Sequence, residues 1–380
     1  MARIAMVAGE ASSDQLAAHL IAALKRRLPE ARFYGIGGPK MQREGFDALW
    51  PSEKLSVRGY AEVLKHYREI TGIRRALLAR ITRDKPDMFI GVDGSDFNLW
   101  LEKRLKRSGI PTIQFVSPSI WAWRRSRLAR IVDAVNHVLA LYPFEPALYE
   151  KTPVKCTYVG HPLADVIPPT VRQGAMRERL NLPREGLVIA LLPGSRRSEL
   201  HYMAETFIET AKLLHERFPF ARFLVPLVSR ETRTQFETAL WKLKADELPI
   251  KLMFGHAPEA IGASDAVLVA SGTATLETAL VGRPMVIAYK MSPWSWRLMR
   301  GMRYLPWVGL PNILAGRYVV PEFLQDDANP ENLAQALGNL LADDTARAAI
   351  ERVFVAIHRQ LRQDTAQKAA DALLPYFQRG

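Results

Sequence analysis

A strand-and-helix alternation that stops near residue 170 and then begins again sets the fold this chain can adopt. In the first half, the runs Ile4 to Ala8, Arg32 to Tyr34, Asp87 to Val92, Thr112 to Val116, Val135 to Leu141 and Thr157 to Val159 read as strands, with helical stretches between them. This is the βαβ pattern of a parallel sheet. A connection from Pro162 to Thr170 carries three prolines, and the pattern then resumes with Leu187 to Leu192, Arg222 to Pro226, Ile250 to Met253, Ala266 to Val269 and Met285 to Ala288.

The two halves also open alike. An apolar strand leads into Gly9-Glu-Ala-Ser-Ser-Asp14 in the first and into Pro193-Gly-Ser-Arg-Arg-Ser-Glu199 in the second, each followed by a helix. The pattern predicts an α/β chain of two doubly wound domains, residues 1–170 and 171–330, facing each other across a cleft with ligands at the carboxyl ends of the strands. Beyond Pro330, Leu333, Ala334, Leu337, Leu340 and Leu341 recur at helical spacing. Residues 331–380 are therefore expected to be helices that pack back across the domains or against a partner chain.

A length of 380 residues exceeds what a single hydrophobic core sustains, in keeping with two domains. Cys156 is the single cysteine, which excludes an intramolecular disulfide and a cysteine-rich zinc site and suits a reducing compartment. The apolar start is interrupted at Gly9-Glu10, too early for a signal peptide, and no apolar run approaches the ~20 residues of a membrane span. The expectation is a cytoplasmic chain that does not cross the membrane. Lys and Arg number 52 against 39 Asp and Glu, a formal charge of +13. Such a surface attracts a polyanion, whether nucleic acid, anionic lipid or a phosphorylated substrate, or serves solubility alone.

Three loops carry candidate chemistry. Ser271-Gly-Thr-Ala-Thr-Leu-Glu277 follows a strand and opens a helix. Unpaired N–H groups and the positive end of a helix dipole thus meet the small residues Ser271, Gly272 and Thr273, which suits a diphosphate. Glu277, further along, is in reach of ribose hydroxyls. Pro193-Gly194-Ser195-Arg196 ends the first strand of the same domain, where a planar, always-charged arginine suits a departing diphosphate. A ligand-free N-cap and a surface arginine are the plain alternatives. In the first domain, Ile90-Gly-Val-Asp93-Gly-Ser-Asp96-Phe-Asn98 puts two carboxylates in the turn after a strand, where one can act as general base. No two of the eight histidines sit at i, i+4 spacing, and no metal site is expected.

Two segments could face a membrane. Trp294, Trp296 and Trp307 interleave with Arg297, Arg300 and Arg303, the aromatic and basic mixture that a lipid headgroup layer attracts. Val63, Leu64, Tyr67 and Ile70 recur near helical spacing with Ile73, Leu77 and Ile81, among basic residues. A core-facing stripe with a solvated basic face explains this second segment better than a membrane face does.

Taken together, six strings resemble in order and spacing the lipid-A-disaccharide synthase family: Gly9-Glu-Ala-Ser, Gly-Val-Asp93-x-x-Asp-Phe-Asn98, Val116-Ser-Pro-Ser-Ile-Trp-Ala-Trp123, Leu192-Pro-Gly-Ser-Arg196, Ser271-Gly-Thr-Ala-Thr-Leu-Glu277 and Leu310-Pro-Asn-Ile-Leu-Ala-Gly316. The resemblance implies the GT-B fold. It also implies transfer of 2,3-diacylglucosamine from its UDP derivative to 2,3-diacylglucosamine 1-phosphate (lipid X), with inversion to a β-1,6 disaccharide and release of UDP, without metal or cofactor. On that resemblance Asp93 is the first choice of base, with Asp96 and Glu10 behind it. Gly194, Ser195, Arg196, Ser271, Gly272, Thr273 and Glu277 would bind UDP, and Asn312 would line the nucleotide pocket.

Acyl chains anchored at ~0.8 kcal/mol per methylene stay in the bilayer. The expected partners therefore include the anionic inner face of the inner membrane, with the Trp294 to Trp307 segment and the helix after Gly59 docked there peripherally. A homodimer swapped through the terminal helices is compatible with this reading. Ser13 and Ala17 stand where the family usually has glycine, so strain of ~1 kcal/mol is expected at Ser13 if that position needs a positive φ. Gly94-Ser95 stands for the family's usual Ala-Pro and is expected to loosen the turn bearing Asp93. Rival readings are another UDP-sugar transferase or epimerase of the same architecture, and a basic nucleic-acid-binding protein, for which no binding signature is present.

Overall fold

Alternate residues of a strand face opposite sides of its sheet, and in β1 (Arg3–Ala8) both sets are apolar and buried from Ile4 onward. Ile4, Met6 and Ala8 join one layer with Leu20, Ile21 and Leu24 of the helix Ala11–Arg27. Ala5 and Val7 join another with Ile73, Leu77 and Ile81 of the helix Tyr60–Asp84 and with Leu101 and Leu105 of the helix Ser95–Arg107. A strand buried on both faces belongs in a parallel sheet covered by helices on each side. The structure is a computed structural model describing the backbone of residues 1–55, 60–121, 125–302 and 304–377, and their side chains except at 60–67, 125, 298, 300 and 302.

The chain divides into two units. The first comprises Met1–Asp165 with Leu361–Gly380, and the second Val166–Gln360. In the first, β2 (Arg32–Gly37), β3 (Phe46–Pro51), β4 (Met88–Val92), β5 (Thr112–Phe115), β6 (His137–Ala140) and β7 (Lys155–Tyr158) join β1 in the order β3-β2-β1-β4-β5-β6-β7, all parallel. The second unit holds β8 (Val188–Leu192), β9 (Arg222–Leu227), β10 (Ile250–Phe254), β11 (Ala266–Ala270), β12 (Met285–Tyr289) and β13 (Glu322–Leu324). Their order is β10-β9-β8-β11-β12-β13, again all parallel. In each sheet the first strand lies between its successor and a later strand, so the order reverses at β1/β4 and at β8/β11. Ligands of open α/β sheets bind outside the carboxyl ends of the strands at such a switch point.

Two strands escaped the sequence pattern. Both are at sheet edges: β3 carries Asp47, ends in Pro51 and is mostly half-exposed, and β13 is three half-buried residues long. The boundary read at residue 170 falls at Asp165/Val166, and residues 331–380 do not form a block of their own. The helix Pro330–Ala342 packs on the helix Arg197–Arg217 in the second unit. The helix Thr365–Leu373 packs on Ala11–Arg27 in the first unit. Asp165 holds that last helix, because its carboxylate accepts the N–H groups of Gln363 (3.2 Å), Asp364 (3.0 Å) and Thr365 (2.8 Å) at a helix start that carries orphan donors.

The segment Tyr60–Asp84 turns its C-terminal half inward, with Ile73, Leu77 and Ile81 in the core and Ile70 half-buried. For that half the core-facing reading applies; the side chains of Val63, Leu64 and Tyr67 lie outside the described residues.

Candidate active-site groups of the two units

In the first unit, Ala8 of β1 pairs with Val92 of β4 at the switch point, so the residues that follow, Gly9-Glu10 and Asp93-Gly94, leave the sheet side by side. Asp93 adopts φ +54, a left-handed conformation uncommon outside glycine. Its N–H donates to Phe115 O (2.8 Å), and its carbonyl accepts from Asn98 Nδ2 (2.8 Å) and Gln114 Nε2 (3.0 Å). Its carboxyl remains open to solvent, yet the surrounding protein removes enough water to raise its pKa. The Gly94 N–H opposes that rise and the neighbouring Glu10 carboxylate adds to it. An accessible carboxylate with a raised pKa beside a second acid is what a general base requires.

The other two carboxylates are placed differently. Asp96 is 85% exposed at its side chain and ion-paired with Arg127 at 2.8 Å. Exposed pairs of this kind contribute little. Glu10 precedes the helix Ala11–Arg27, where its N–H donates to Ser13 Oγ (2.9 Å) and its carbonyl accepts from the Ser13 hydroxyl (2.8 Å). Ser13 therefore closes the turn from within the helix. It does not have a positive φ, so the strain expected of a residue standing for glycine is not there. Ala17 is fully buried in the core under the same helix. Asp14 accepts the N–H groups of Gly38, Lys40 and Met41 and fixes the chain after β2. Gly94, at φ +49, follows Asp93 in the left-handed region, so glycine here favours the turn instead of loosening it.

In the second unit the switch point brings together the ends of β8 and β11, where Leu192 pairs with Val269. After β8, the N–H groups of Ser195 and Arg196 are taken by Glu199, at 2.8 and 3.1 Å. Gly194 (φ +127) permits this, since a Cβ there would lie 2.5 Å from Glu199 Cβ. With its N–H groups taken, this loop offers a ligand the Arg196 guanidinium, 76% exposed and 4.0 Å from Glu199. After β11 the arrangement is the reverse. The helix Thr273–Val281 starts at Gly272 with no capping side chain, and Gly272 and Thr273 are exposed, so its first N–H groups face outward. Glu277 is half-buried, and desolvation followed by Glu259 raises its pKa.

Asn312 does not line an opening. It is fully buried, and its amide donates to Val320 O (2.9 Å) and Glu322 Oε1 (2.8 Å) while accepting from the N–H of Val319 (2.7 Å) and Val320 (3.0 Å). Its polar capacity is committed to holding the segment that Glu322 also grips, through the N–H groups of Val308 and Gly309. Val308 O in turn accepts from Ser271 Oγ at 3.4 Å. Asn312 and Glu322 thus brace the segment that holds the Ser271 loop.

Sequence reading missed two buried acids of the first unit. Glu102 is fully buried, neither of its oxygens has a hydrogen-bond partner among the described residues, and burial holds its pKa well above the ordinary 4.5. Glu145 is buried behind β6, accepts the Tyr142 N–H at 3.0 Å, and is pushed by burial to about 8. It neighbours Ser117, whose hydroxyl meets Tyr149 Oη at 2.8 Å, and the aromatic group Trp121, Tyr142 and Phe144. Trp123 lies outside the described residues, and His161, stacked on Tyr142, is held neutral by burial at about 4. Among the described residues no three His, Cys, Asp or Glu side chains gather as metal ligands, and no helix is long and apolar enough to cross a membrane.

Comparison with known proteins identifies the family and the fold. The sequence profile of the family described as lipid-A-disaccharide synthetase matches residues 4–374. The lipid-A-disaccharide synthase of Aromatoleum aromaticum is 62% identical over 377 residues, covering 99% of this chain and 96% of that one. Among solved structures, the glycotransferase of kitacinnamycin aligns with a TM-score of 0.62 at 15% identity, over 99% of this chain and 98% of that chain. A UDP-GlcNAc 2-epimerase from Neisseria meningitidis, bound to UDP-GlcNAc, aligns with a TM-score of 0.61 at 12% identity over 100% of both chains. At such low identity these structures speak for the fold, which is GT-B, while the sequence match speaks for the family. The chain belongs to the lipid-A-disaccharide synthase family of glycosyltransferases.

Proposed function

We propose that the chain condenses UDP-2,3-diacylglucosamine with 2,3-diacylglucosamine 1-phosphate, using Asp93 as general base and the second unit to hold UDP. The observation that carries this reading is that both candidate sets fall at the switch point of their own sheet. The Asp93 carboxylate takes the proton of the acceptor 6-hydroxyl as its oxygen attacks the anomeric carbon. The bond from that carbon to the diphosphate breaks, and its electron pair leaves with UDP. Arg196 and the open N-terminus of the helix Thr273–Val281 offset the charge that develops on the diphosphate, and Glu277 takes the ribose hydroxyls. No metal or cofactor enters this scheme.

The test is UDP release from the two lipid-linked sugars in detergent micelles with a chelator present. Turnover supports the reading, and its absence would overturn it. Arg196→Ala removes a charge-assisted donor worth about 1.5–3 kcal/mol. Calorimetry is expected to find UDP bound about 10- to 100-fold more weakly, and unchanged affinity would remove Arg196 from the site.

Docking at the inner face of the inner membrane completes the proposal. Trp294 is 82% exposed and Arg297 is exposed beside it, in the helix Pro293–Met302, with Trp296 and Trp307 half-buried. The side chains of Arg300 and Arg303 lie outside the described residues. Each basic residue near an anionic surface contributes roughly 1 kcal/mol, so neutralising Arg297, Arg300 and Arg303 is expected to weaken vesicle binding by about 100-fold. Co-sedimentation with phosphatidylglycerol vesicles reads this directly, and unaltered binding would move the docking face elsewhere.

A further inference from the structure

We infer that Asn98 and Gln114 are positioning residues that hold the Asp93 backbone in its left-handed conformation and so aim its carboxylate outward; this rests on Asp93 being the base. The two amides come from different elements, Asn98 from the helix Ser95–Arg107 and Gln114 from β5, yet both donate to the Asp93 carbonyl, at 2.8 and 3.0 Å. Gln114 Nε2 also reaches Val116 O at 3.2 Å, and Val116 is itself left-handed at φ +79. One buried amide thus ties together the unusual residues of two adjacent loops. A left-handed, non-glycine conformation costs on the order of 1 kcal/mol or more and persists only where its surroundings over-determine it.

What these amides leave undone points to function. Both are buried, and the Asn98 Oδ1 and Gln114 Oε1 atoms have no hydrogen-bond partner among the described residues. The large majority of buried side-chain polar atoms have a hydrogen-bond partner, and exceptions call for an explanation. Here the donors serve Asp93 while the acceptors are stranded. Glu102, also without partners, crowds the same spot: a Cβ on Gly91 would come within 2.5 Å of Glu102 Oε1 and 2.9 Å of Asn98 Cγ, so only glycine leaves room for them. The arrangement sacrifices stability beneath the residue whose geometry matters.

Gln114→Met and Asn98→Leu remove the donors at nearly constant volume and also remove the stranded acceptors. Each is expected to unfold at or above the wild-type temperature, yet to lose about tenfold or more in kcat, because small misplacements of a catalytic group are costly. KM for both sugars and the Kd for UDP should stay within about twofold, the mark of an interaction felt only in the transition state. A purely structural role would give the opposite pattern, lower stability with kcat retained in the folded protein, and that result overturns the inference. So does failure of both variants to fold. Asp93→Asn measured alongside separates the two claims. If it is active, the base reading fails; if it is inactive while Gln114→Met and Asn98→Leu turn over normally, only the positioning role fails.

Discussion

Replacing Asp93 by Asn is expected to lower kcat by about 100- to 10,000-fold, the range general-base catalysis contributes, with UDP affinity unchanged. Asn keeps the size of the side chain and leaves the backbone hydrogen bonds to Phe115, Asn98 and Gln114 in place. Only proton acceptance is lost. Because desolvation raises the Asp93 pKa above its ordinary 3.8, activity should climb with pH along an acid limb lying above that value, as the carboxylate form appears. Steady-state rates across pH, with calorimetric UDP binding for the variant, read both effects. A variant with wild-type turnover would move the base to Glu10, since Asp96 is exposed and engaged by Arg127.

The second large effect concerns stability. Glu145 has a folded-state pKa of about 8 against an ordinary 4.5. A raised pKa means that the folded protein prefers the protonated acid. Its contribution is therefore intact below the unfolded value and is lost as pH rises toward the folded one. At 1.36 kcal/mol per unit, this removes about 3 kcal/mol between pH 4.5 and pH 7. Glu102, buried without a partner, acts in the same direction. Glu102→Gln and Glu145→Gln each supply a neutral side chain of the same shape. Both variants are expected to melt close to wild type near pH 4.5 and several degrees higher near pH 7.5. Equal pH dependence in variant and wild type would mean that these acids ionise freely in the folded state.

Much of the fold was legible because its signals are local. Strands such as β8 and β11, buried at all five positions, are continuous apolar runs in sequence, and β1 is one from Ile4 onward. β3, interrupted by Asp47 and ended by Pro51, and β13, only three residues long, carry no such run, which hides them. What the sequence conveyed of the candidate site is position: Asp93 and Ser271 read as following a strand directly, and they follow β4 and β11. Sequence did not convey where a side chain turns back on its own backbone. Glu199 taking the N–H groups of Ser195 and Arg196 closes a capping box whose N-cap is an arginine in place of the usual Ser, Thr, Asp or Asn. Asn312 fills its hydrogen bonds through geometry that no spacing rule conveys. Glu102 stands among Lys103, Arg104, Lys106 and Arg107, a setting that in sequence suggests a solvated charge. Only the position of Leu101 and Leu105 on the core-facing side of the same helix hinted that it is buried.

The stereochemistry of the product tests most directly the claim that one carboxylate, acting as a base, drives a single displacement. Proton NMR of the disaccharide formed from the α-linked UDP-sugar reads the configuration of the new glycosidic bond. The expected result is a β-1,6 linkage, inverted relative to the donor. An α linkage would require two displacements through a covalent intermediate and would contradict Asp93 as a general base.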